Sequence, residues 1–310
     1  MRIVTAAFLL ALVQASSATA QSSDRGQGRI RHHPEYVVQT AWLAAHLTAA
    51  RVIVLHVGTS DEQYRAAHIP GALFLPLSAV ATTVDGVLNE FPAPEQLAAT
   101  FRDLGVGNSA RIVVYGDDPG LFAARAWIAL DLLGHGGRAA ILDGGLTKWK
   151  AEHRPVETAV ATPHPVLFAS RWRADRVVSA AWVRAHLADR AVVFVDARSP
   201  DHYAGSAADA RSGHLPGAKN LYWMSQLASA DDPSLRPMAY LHEELWKPMG
   251  ADRPAVRTLV VYCRTGMQAS HDYFVARYIG YPDVRLYDGS MSDWAGLTPA
   301  ADYPVERSSK

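Results

Sequence analysis

The chain repeats itself once, and this repeat constrains its fold more than any other feature of the sequence. The pentapeptide that begins at His68, His-Ile-Pro-Gly-Ala, returns at His214 as His-Leu-Pro-Gly-Ala, an offset of 146 residues (68 to 214). Further landmarks return in the same order: the segment that begins at Ala41 matches the one at Ala181, Val113-Val114-Tyr115 matches Val260-Val261-Tyr262, Leu142-Asp143-Gly144-Gly145 matches Tyr287-Asp288-Gly289-Ser290, and Trp149 matches Trp294. Matched landmarks in one order predict two homologous domains.

The repeat also sets the expected domain boundaries. We expect domains at residues 30–155 and 172–305, joined by a linker over residues 156–171, which hold two prolines and no sustained periodic pattern. The offset between the copies is 140 before Tyr203 and 146 after His214, so the second copy has gained six residues between them. This insert is rich in Ala, Ser and Gly and is expected to form a loop.

Short apolar strands alternate with helical segments in each copy. The predicted strands cover residues 52–57, 112–115, 139–142, 191–195, 258–262 and 284–287, and the predicted helices cover residues 124–133 and 270–279. This alternation is typical of an α/β fold in which each domain holds a parallel sheet flanked by helices. A mixed α+β arrangement is the alternative that the pattern leaves open.

The N-terminal segment has the three parts of a secretory signal peptide. A positive residue, Arg2, is followed by an apolar run from Ile3 to Val13 and then by the small-residue pattern Ala18-Thr19-Ala20. We therefore expect cleavage after Ala20 and an exported protein, periplasmic if the source is Gram-negative and otherwise secreted. A buried N-terminal helix is the alternative, since the apolar run is shorter than the ~20 residues that span a bilayer.

The charge balance excludes some classes of partner. Thirty basic and thirty acidic side chains give a formal net charge of zero, so we expect neither a nucleic-acid partner nor an acidic membrane surface. The histidines show no metal-ligand spacing, and neither a metal nor a cofactor is expected.

The single cysteine, Cys263, directly follows the predicted strand 258–262 and precedes a helix. Ligands collect at the carboxyl ends of parallel strands, and the amides of a helix start stabilise an anion there. Gly266 allows the tight turn, and Arg264 adds positive charge. We therefore expect a lowered pKa for Cys263 and a thiolate that carries sulfur as a persulfide.

The segment that begins at Cys263, Cys-Arg-Thr-Gly-Met-Gln-Ala-Ser, together with Tyr287-Asp288-Gly289-Ser290 and Trp294, resembles the active domain of tandem rhodaneses. That family includes thiosulfate and 3-mercaptopyruvate sulfurtransferases, and the resemblance covers nearly all of the chain after residue 20. It implies two tandem rhodanese-like domains with Cys263 as the catalytic residue. It also implies substrate binding by Arg198, Arg264, Thr265, Gly266, Met267 and Gln268.

The resemblance further implies that the first domain is catalytically inactive. Gly116 stands where the first copy would carry the cysteine, and two carboxylates, Asp117 and Asp118, follow it. A glycine cannot hold sulfur, and the carboxylates would repel a thiolate or thiosulfate. Arg198 is the expected anion-binding arginine after the first strand of the active domain, with a surface ion pair as its alternative role. Arg211, in the insert, is a weaker candidate.

The identity of the sulfur donor stays open between thiosulfate and 3-mercaptopyruvate. Family members of the second type have a small uncharged residue and then a serine after the cysteine, and that serine joins a proton-transfer arrangement with a histidine and an aspartate. Here Thr265, His68 and Asp61 would have to fill those roles, although His68 lies in a Pro-Gly turn that favours a structural histidine. The charge of Arg264 favours an inorganic dianion.

The sequence therefore predicts a sulfurtransferase that moves sulfur from thiosulfate to an acceptor such as cyanide. The partners expected are a small-molecule donor and acceptor, with a protein sulfur acceptor as a further candidate. Three other interpretations stand beside it: a cysteine phosphatase, which lacks its phosphate-binding arginine here; a binding or sulfur-delivery module acting on a protein; and an inert core cysteine.

Overall fold

Eleven strands and ten α-helices make up the computed structural model, which describes residues 30–308. The expected signal peptide, residues 1–20, lies outside the described residues. The strands are β1 (Val37–Val38), β2 (Val52–Gly58), β3 (Leu73–Pro76), β4 (Thr82–Val84), β5 (Val87–Glu90), β6 (Arg111–Gly116), β7 (Ala139–Leu142), β8 (Val192–Asp196), β9 (Lys219–Asn220), β10 (Thr258–Tyr262) and β11 (Val284–Leu286).

The helices lie between these strands and cover their faces. They are α1 (Thr40–His46), α2 (Glu62–Ala66), α3 (Pro94–Asp103), α4 (Leu121–Leu132), α5 (Gly145–Ala151), α6 (Ala180–His186), α7 (Pro200–Ala204), α8 (Met238–Tyr240), α9 (Met267–Ile279) and α10 (Ser290–Trp294). A π-helical segment, Leu241–Trp246, continues α8. Short 3₁₀ turns occur at Pro34–Tyr36, Leu77–Ala79, Gly136–Arg138, Ala174–Arg176, Trp223–Gln226, Lys247–Met249 and Ala300–Asp302.

Two parallel sheets form the centres of the two halves. The first has the strand order β1-β7-β6-β2-β3 and the second the order β11-β10-β8-β9. A single parallel bridge from Val177 to Leu286 stands in the second sheet where β1 pairs with β7 in the first. Parallel strands must be buried on both faces, and β10 is accordingly buried along its whole length. The predicted α/β class, with a parallel sheet flanked by helices in each half, is therefore confirmed.

The two matched tryptophans of the repeat have the same contacts in both halves. Trp149 and Trp294 are both fully buried, and each indole N–H donates to a proline carbonyl, of Pro155 at 2.7 Å and of Pro304 at 2.9 Å. A buried tryptophan of this kind typically stabilises the folded state by about 3–5 kcal/mol relative to alanine. This contribution explains why both copies of the repeat have tryptophan at this position.

The two halves pack through the helices that follow the central strands. Trp127 of α4 meets Phe274 of α9 edge-to-face at 5.1 Å, and the Tyr273 hydroxyl donates to Asp131 at 2.9 Å. Buried residues of both halves belong to one continuous hydrophobic cluster. The carboxyl ends of both sheets therefore lie beside the domain interface. Within residues 30–308, no helix combines the length and the apolar character that a membrane crossing requires.

A short antiparallel hairpin lies in the first copy, and a single antiparallel bridge, from Leu227 to Leu235, lies at the corresponding place in the second copy. Strands β4 and β5 pair through the turn at Asp85 and Gly86, whose φ angles are +51° and +84°. The hairpin belongs to the first domain and extends toward the second, where α10 packs against β5. One of its residues, Asn89, contacts Thr265 of the site described next.

Candidate active site

Cys263 lies at the carboxyl end of β10, where the chain turns sharply into α9. Its side chain is buried, at 1% exposure. Gly266 makes the turn at a φ of +79°, a left-handed conformation that favours glycine. The apolar strand thus fixes one end of the loop and α9 the other, and the cysteine lies between them at the sheet edge where ligands usually bind.

Backbone amides surround the cysteine sulfur. The N–H groups of Ala269, Thr265 and Gln268 are directed at it, and each lowers the pKa of the thiol. Burial nevertheless acts more strongly and, with the nearby charge of Asp196, raises the pKa of Cys263 above its ordinary value. The sequence-based expectation of a lowered pKa is therefore wrong for the free thiol, because it weighed the amides without the loss of water around the sulfur.

Ser290 fixes both ends of the catalytic loop, the segment from Cys263 to Gly266. Its hydroxyl oxygen accepts the N–H of Cys263 at 3.0 Å and that of Gly266 at 3.2 Å, and it donates to the Tyr287 carbonyl at 2.8 Å. The N–H of Met291 donates to the Cys263 carbonyl at 3.1 Å. The segment that begins α10 therefore holds the backbone of the loop from behind.

Asp288 supports the same loop from the side. A Cβ atom placed on Gly266 would lie 2.2 Å from the Asp288 carboxylate, so the backbone and the carboxylate are in direct contact. Asp288 is buried, at 1% exposure, and pairs with Arg125 of the first domain, whose exposure is 0%. Its second oxygen also accepts the backbone N–H of Phe91 at 3.1 Å. Two groups from the first domain thus orient the carboxylate that touches the catalytic loop.

The first domain also reaches the loop directly. Asn89, in β5, donates from Nδ2 to the Thr265 hydroxyl oxygen at 2.9 Å. The Asn89 carbonyl in turn accepts a hydrogen bond from the Arg125 guanidinium, which stacks 3.5 Å above the Phe91 ring. The cysteine-free domain therefore contributes a side chain, Asn89, that contacts the catalytic loop.

A cleft of about 760 Å³ opens beside Cys263. Its lining includes six of the seven site residues predicted from the sequence: Arg198, Cys263, Arg264, Thr265, Met267 and Gln268. Gly266, the seventh, lies buried behind them. The insert of the second copy forms the opposite wall, through residues such as Ser206, Asp209 and Ser212. The structure thus brings the predicted residues together.

Arg198 lies in the cleft, but its guanidinium is already engaged. Nε and Nη2 contact both oxygens of Asp196, with the shortest pair at 2.5 Å, and Nη2 also donates to the Gly213 carbonyl at 2.6 Å. Asp196 is fully buried at the end of β8. The pair presents a fixed arginine whose charge is partly compensated, so the exposed Arg264 is the less encumbered cation of the cleft.

Arg211 has a structural task in this fold. Nε, Nη1 and Nη2 donate to the carbonyls of Ala295, Tyr303 and Trp294 at 2.9–3.0 Å. These three bonds attach the insert to the chain that follows α10. The arginine therefore shapes the cleft wall, and its donors are taken up by backbone oxygens.

His68 and Asp61 lie away from the catalytic loop. His68 is fully buried, stacks on Tyr64 at 3.9 Å and bonds through Nδ1 to the Tyr64 carbonyl at 2.6 Å. Asp61 pairs on the surface with Arg65. His214 repeats the histidine arrangement on Tyr203 at 3.7 Å. Both histidines of the repeat therefore stabilise a turn. The neighbour of Thr265 is Asn89 and not His68.

In the first domain, the segment that corresponds to the catalytic loop has its backbone amides occupied by one of its own side chains. At the offset of 147 residues that relates Gly116 to Cys263, the amides of Leu121 and Phe122 match those of Gln268 and Ala269. The Asp118 carboxylate accepts both, at 2.7 and 3.0 Å. Burial raises the pKa of Asp118, while these amides oppose the shift. The donors that face the sulfur in one domain are therefore occupied by a carboxylate in the other.

Sequence reasoning missed several residues that the site depends on. The sequence did distinguish Ser290, because the first copy of the repeat has a glycine at the matching position. Arg125 carried a signal as well, because a charge within the apolar helix α4 requires a buried partner. Asn89 carried none, since nothing in the sequence around it pointed to a contact with the second domain. Among residues 30–308, no group of three His, Cys, Asp or Glu side chains is arranged to hold a metal ion.

Comparison with known proteins gives three kinds of match. The family model described as a rhodanese-like domain matches residues 39–152 and 179–297. The sulfur carrier protein TtuD of Thermus thermophilus is 32% identical over 86% of this chain and 95% of that protein. A probable 3-mercaptopyruvate sulfurtransferase of Pseudomonas aeruginosa is 33% identical over 81% of this chain and 92% of that protein. The thiosulfate sulfurtransferase of Azotobacter vinelandii is 33% identical over 87% and 96%.

Solved structures agree in fold. The 3-mercaptopyruvate sulfurtransferase SseA of Escherichia coli has a TM-score of 0.72 at 24% identity, over 82% of this chain and 98% of its own. The 3-mercaptopyruvate sulfurtransferase of Leishmania major has a TM-score of 0.73 at 22% identity, over 87% and 76%. At these identities the likeness shows the shared architecture alone.

Proposed function

Because the chain belongs to the rhodanese family of sulfurtransferases, whose domain it carries twice, we propose that it transfers the outer sulfur of thiosulfate to a thiophilic acceptor such as cyanide through a persulfide on Cys263. The observation that carries this proposal is the ring of amides around the Cys263 sulfur, from Thr265, Gln268 and Ala269. An anionic persulfide sulfur requires donors of this kind once it is removed from water.

The proposed reaction has two halves. The Cys263 thiolate attacks the outer sulfur of thiosulfate; the new S–S bond forms on the cysteine, and sulfite leaves with the electron pair of the bond that breaks. Cyanide then attacks the terminal persulfide sulfur, thiocyanate leaves, and the thiolate is restored. Burial raises the pKa of the free thiol, so Cys263 must lose its proton before the first attack. Once the thiolate is formed, neither half moves a proton, and both halves need anion-stabilising groups rather than an acid or base.

Features of the cleft support thiosulfate as the donor. Arg264 is exposed beside the cysteine and lines the cleft where a dianion would enter, and Arg198 lines it as well with its charge partly compensated by Asp196. The alternative donor, 3-mercaptopyruvate, leaves as a pyruvate carbanion equivalent that must take up a proton. His68, the expected relay histidine, is committed to Tyr64.

The second candidate is a 3-mercaptopyruvate sulfurtransferase, and the relative from Pseudomonas aeruginosa favours it. A protein acceptor is a further candidate, because a relative at 32% identity is named a sulfur carrier protein. Both alternatives keep the Cys263 persulfide and differ in what delivers or removes the sulfur.

The test is a thiocyanate assay on the purified protein and on Cys263→Ser. Thiosulfate and 3-mercaptopyruvate are offered separately, with cyanide as the acceptor. The proposal expects turnover with thiosulfate at a higher kcat/KM than with 3-mercaptopyruvate, and none in the variant. A preference for 3-mercaptopyruvate would move the assignment, and persulfide formation without cyanide turnover would direct the search to a protein acceptor.

The proposal includes export of the protein from the cytoplasm. The signal pattern that ends at Ala20 supports it. Mass spectrometry of the protein recovered from the periplasmic fraction of a Gram-negative host should give the mass of the chain that begins at Gln21. Recovery of the full-length chain in the cytoplasm would contradict export.

A further inference from the structure

Asn89 connects the first domain to the catalytic loop of the second. Its Nδ2 lies 2.9 Å from the Thr265 hydroxyl oxygen. Thr265 lines the cleft two residues after Cys263, and its own amide is directed at the sulfur. The side chain of Asn89 therefore acts on a residue that lines the cleft and whose amide is directed at the reacting sulfur.

Asn89 is held in place by other contacts of the first domain. Its φ angle is +63°, a left-handed conformation that asparagine tolerates better than most residues. The Arg125 guanidinium donates to its carbonyl, and the same guanidinium pairs with Asp288. The amide of Asn89 is thus fixed relative to the loop by a buried ion pair.

The chemistry of an amide limits what Thr265 can do. When Asn89 donates to the hydroxyl oxygen, the proton of Thr265 is directed elsewhere, toward the cleft, where it can bind an oxygen of the sulfur donor. A carboxamide neither accepts nor releases a proton at neutral pH. Thr265 therefore has a neighbour that orients it but cannot pass a proton through it.

We infer that Asn89 is a positioning residue that orients the Thr265 hydroxyl toward the sulfonate oxygens of the sulfur donor and thereby favours donors whose leaving group takes no proton. This inference rests on the proposed function. Thiosulfate fits this class, since its outer sulfur bonds to Cys263 while sulfite leaves with the electron pair. A mercapto acid does not, because its leaving carbanion must be protonated.

The test separates the two halves of the reaction. In a ping-pong mechanism, kcat/KM for thiosulfate reports sulfur loading and kcat/KM for cyanide reports unloading. Asn89→Gly removes the amide and relieves the left-handed strain, so it should fold. We expect kcat/KM for thiosulfate to fall about tenfold, the effect of one hydrogen bond, with kcat/KM for cyanide changed less than about twofold. Leu88→Ala, on an exposed neighbour in the same hairpin, should change neither.

A double-mutant cycle connects the effect to Thr265. Thr265→Val removes the hydroxyl and keeps the branched shape, and it should lower kcat/KM for thiosulfate as much as Asn89→Gly does. Adding Asn89→Gly to Thr265→Val should then cost less than about twofold, because the two residues act through one hydrogen bond. Additive losses would contradict the inference.

Asn89→Asp gives an independent readout of donor preference. A carboxylate accepts the Thr265 proton, reverses the direction of the hydrogen bond and places a negative charge near the dianion. The ratio of kcat/KM for 3-mercaptopyruvate to that for thiosulfate should therefore rise at least about fivefold. An unchanged ratio, or equal losses in both half-reactions of Asn89→Gly, would overturn the inference. Failure of the unmodified protein to use thiosulfate would overturn the proposed function instead.

Discussion

The guanidinium of Arg125 contacts both carboxylate oxygens of Asp288, at 2.5 and 2.9 Å, although the two residues belong to different domains. Neither side chain is more than 1% exposed, and Asp288 presses on Gly266 of the catalytic loop. The first domain has Gly116 where the second has Cys263, yet through this pair it supports the loop that carries the cysteine of the second. The cysteine-free domain therefore helps to position the catalytic loop.

The first prediction concerns the stability of this pair. Arg125→Met removes the cation and leaves Asp288 buried without its partner, so we expect the free energy of unfolding to fall by about 3–5 kcal/mol in urea denaturation. Arg102→Met, in an exposed pair with Asp103, is the matched control and should lower the free energy of unfolding far less, because solvent screens the pair. Equal losses in the two variants would contradict the role given to burial.

The second prediction concerns Gly266. In Gly266→Ala the new Cβ would lie 2.2 Å from the Asp288 carboxylate and 2.8 Å from its carbonyl, so the catalytic loop must shift. We expect kcat/KM for thiosulfate to fall at least about a hundredfold, because displacement by ~1 Å disrupts the arrangement around the sulfur.

Gly217→Ala is the control for that substitution. Gly217 has nearly the same φ, +73° against +79°, but open space where the Cβ would be. Gly217→Ala should lower the free energy of unfolding by about 1 kcal/mol through backbone strain, while kcat/KM for thiosulfate changes less than about twofold. If both alanines lowered kcat/KM equally, backbone strain and not contact with Asp288 would be the cause.

Sequence could predict the parts of the fold that depend on local pattern. The strand that ends before Cys263 was expected at residues 258–262 and is found there, and the helix after it begins three residues earlier than expected, at Met267. The predicted location of Cys263 at the sheet edge follows from these two elements. A repeat carries this information because both copies must bury the same strands.

The parts of the site that sequence could not predict arise from contacts between the domains. Asp85-Gly86 marked a turn, but nothing in the sequence indicated that the hairpin carrying Asn89 contacts the second domain. Arg125 and Asp288 are separated by 163 residues, so only the folded chain pairs them. The pKa of Cys263 was mispredicted for a related reason, since burial is a property of the packed loop and not of its sequence.

The third prediction follows from that pKa. Burial raises the pKa of Cys263, and only the thiolate is alkylated, so the rate of iodoacetamide labelling should rise at a higher pH than for an ordinary cysteine, whose pKa is about 8.5. Labelling is followed by mass spectrometry on the sulfur-free protein, with a small free thiol as the reference. A midpoint below that of the reference would show that the amides prevail over burial.

The last prediction concerns Glu90, the residue after Asn89 in the hairpin. Burial and the charges of Asp288 and Asp293 raise its pKa to about 7, against the opposing effect of Arg125. Since the folded-state pKa lies above the unfolded value of 4.5, the protonated carboxyl favours the folded state. Its contribution is fully present below pH 4.5 and is lost as the pH rises to about 7.

Glu90→Gln removes this titration while keeping the shape of the side chain. We expect the variant to match the unmodified protein in urea denaturation at pH 4.5 and to be more stable by about 1 kcal/mol at pH 8, a value reduced for the partial exposure of the carboxyl. Glu95→Gln, on α3 of the same domain, is the control and should leave the pH dependence unchanged. A stability difference between Glu90→Gln and the unmodified protein that does not vary with pH would show that Glu90 ionises normally beside Asp288.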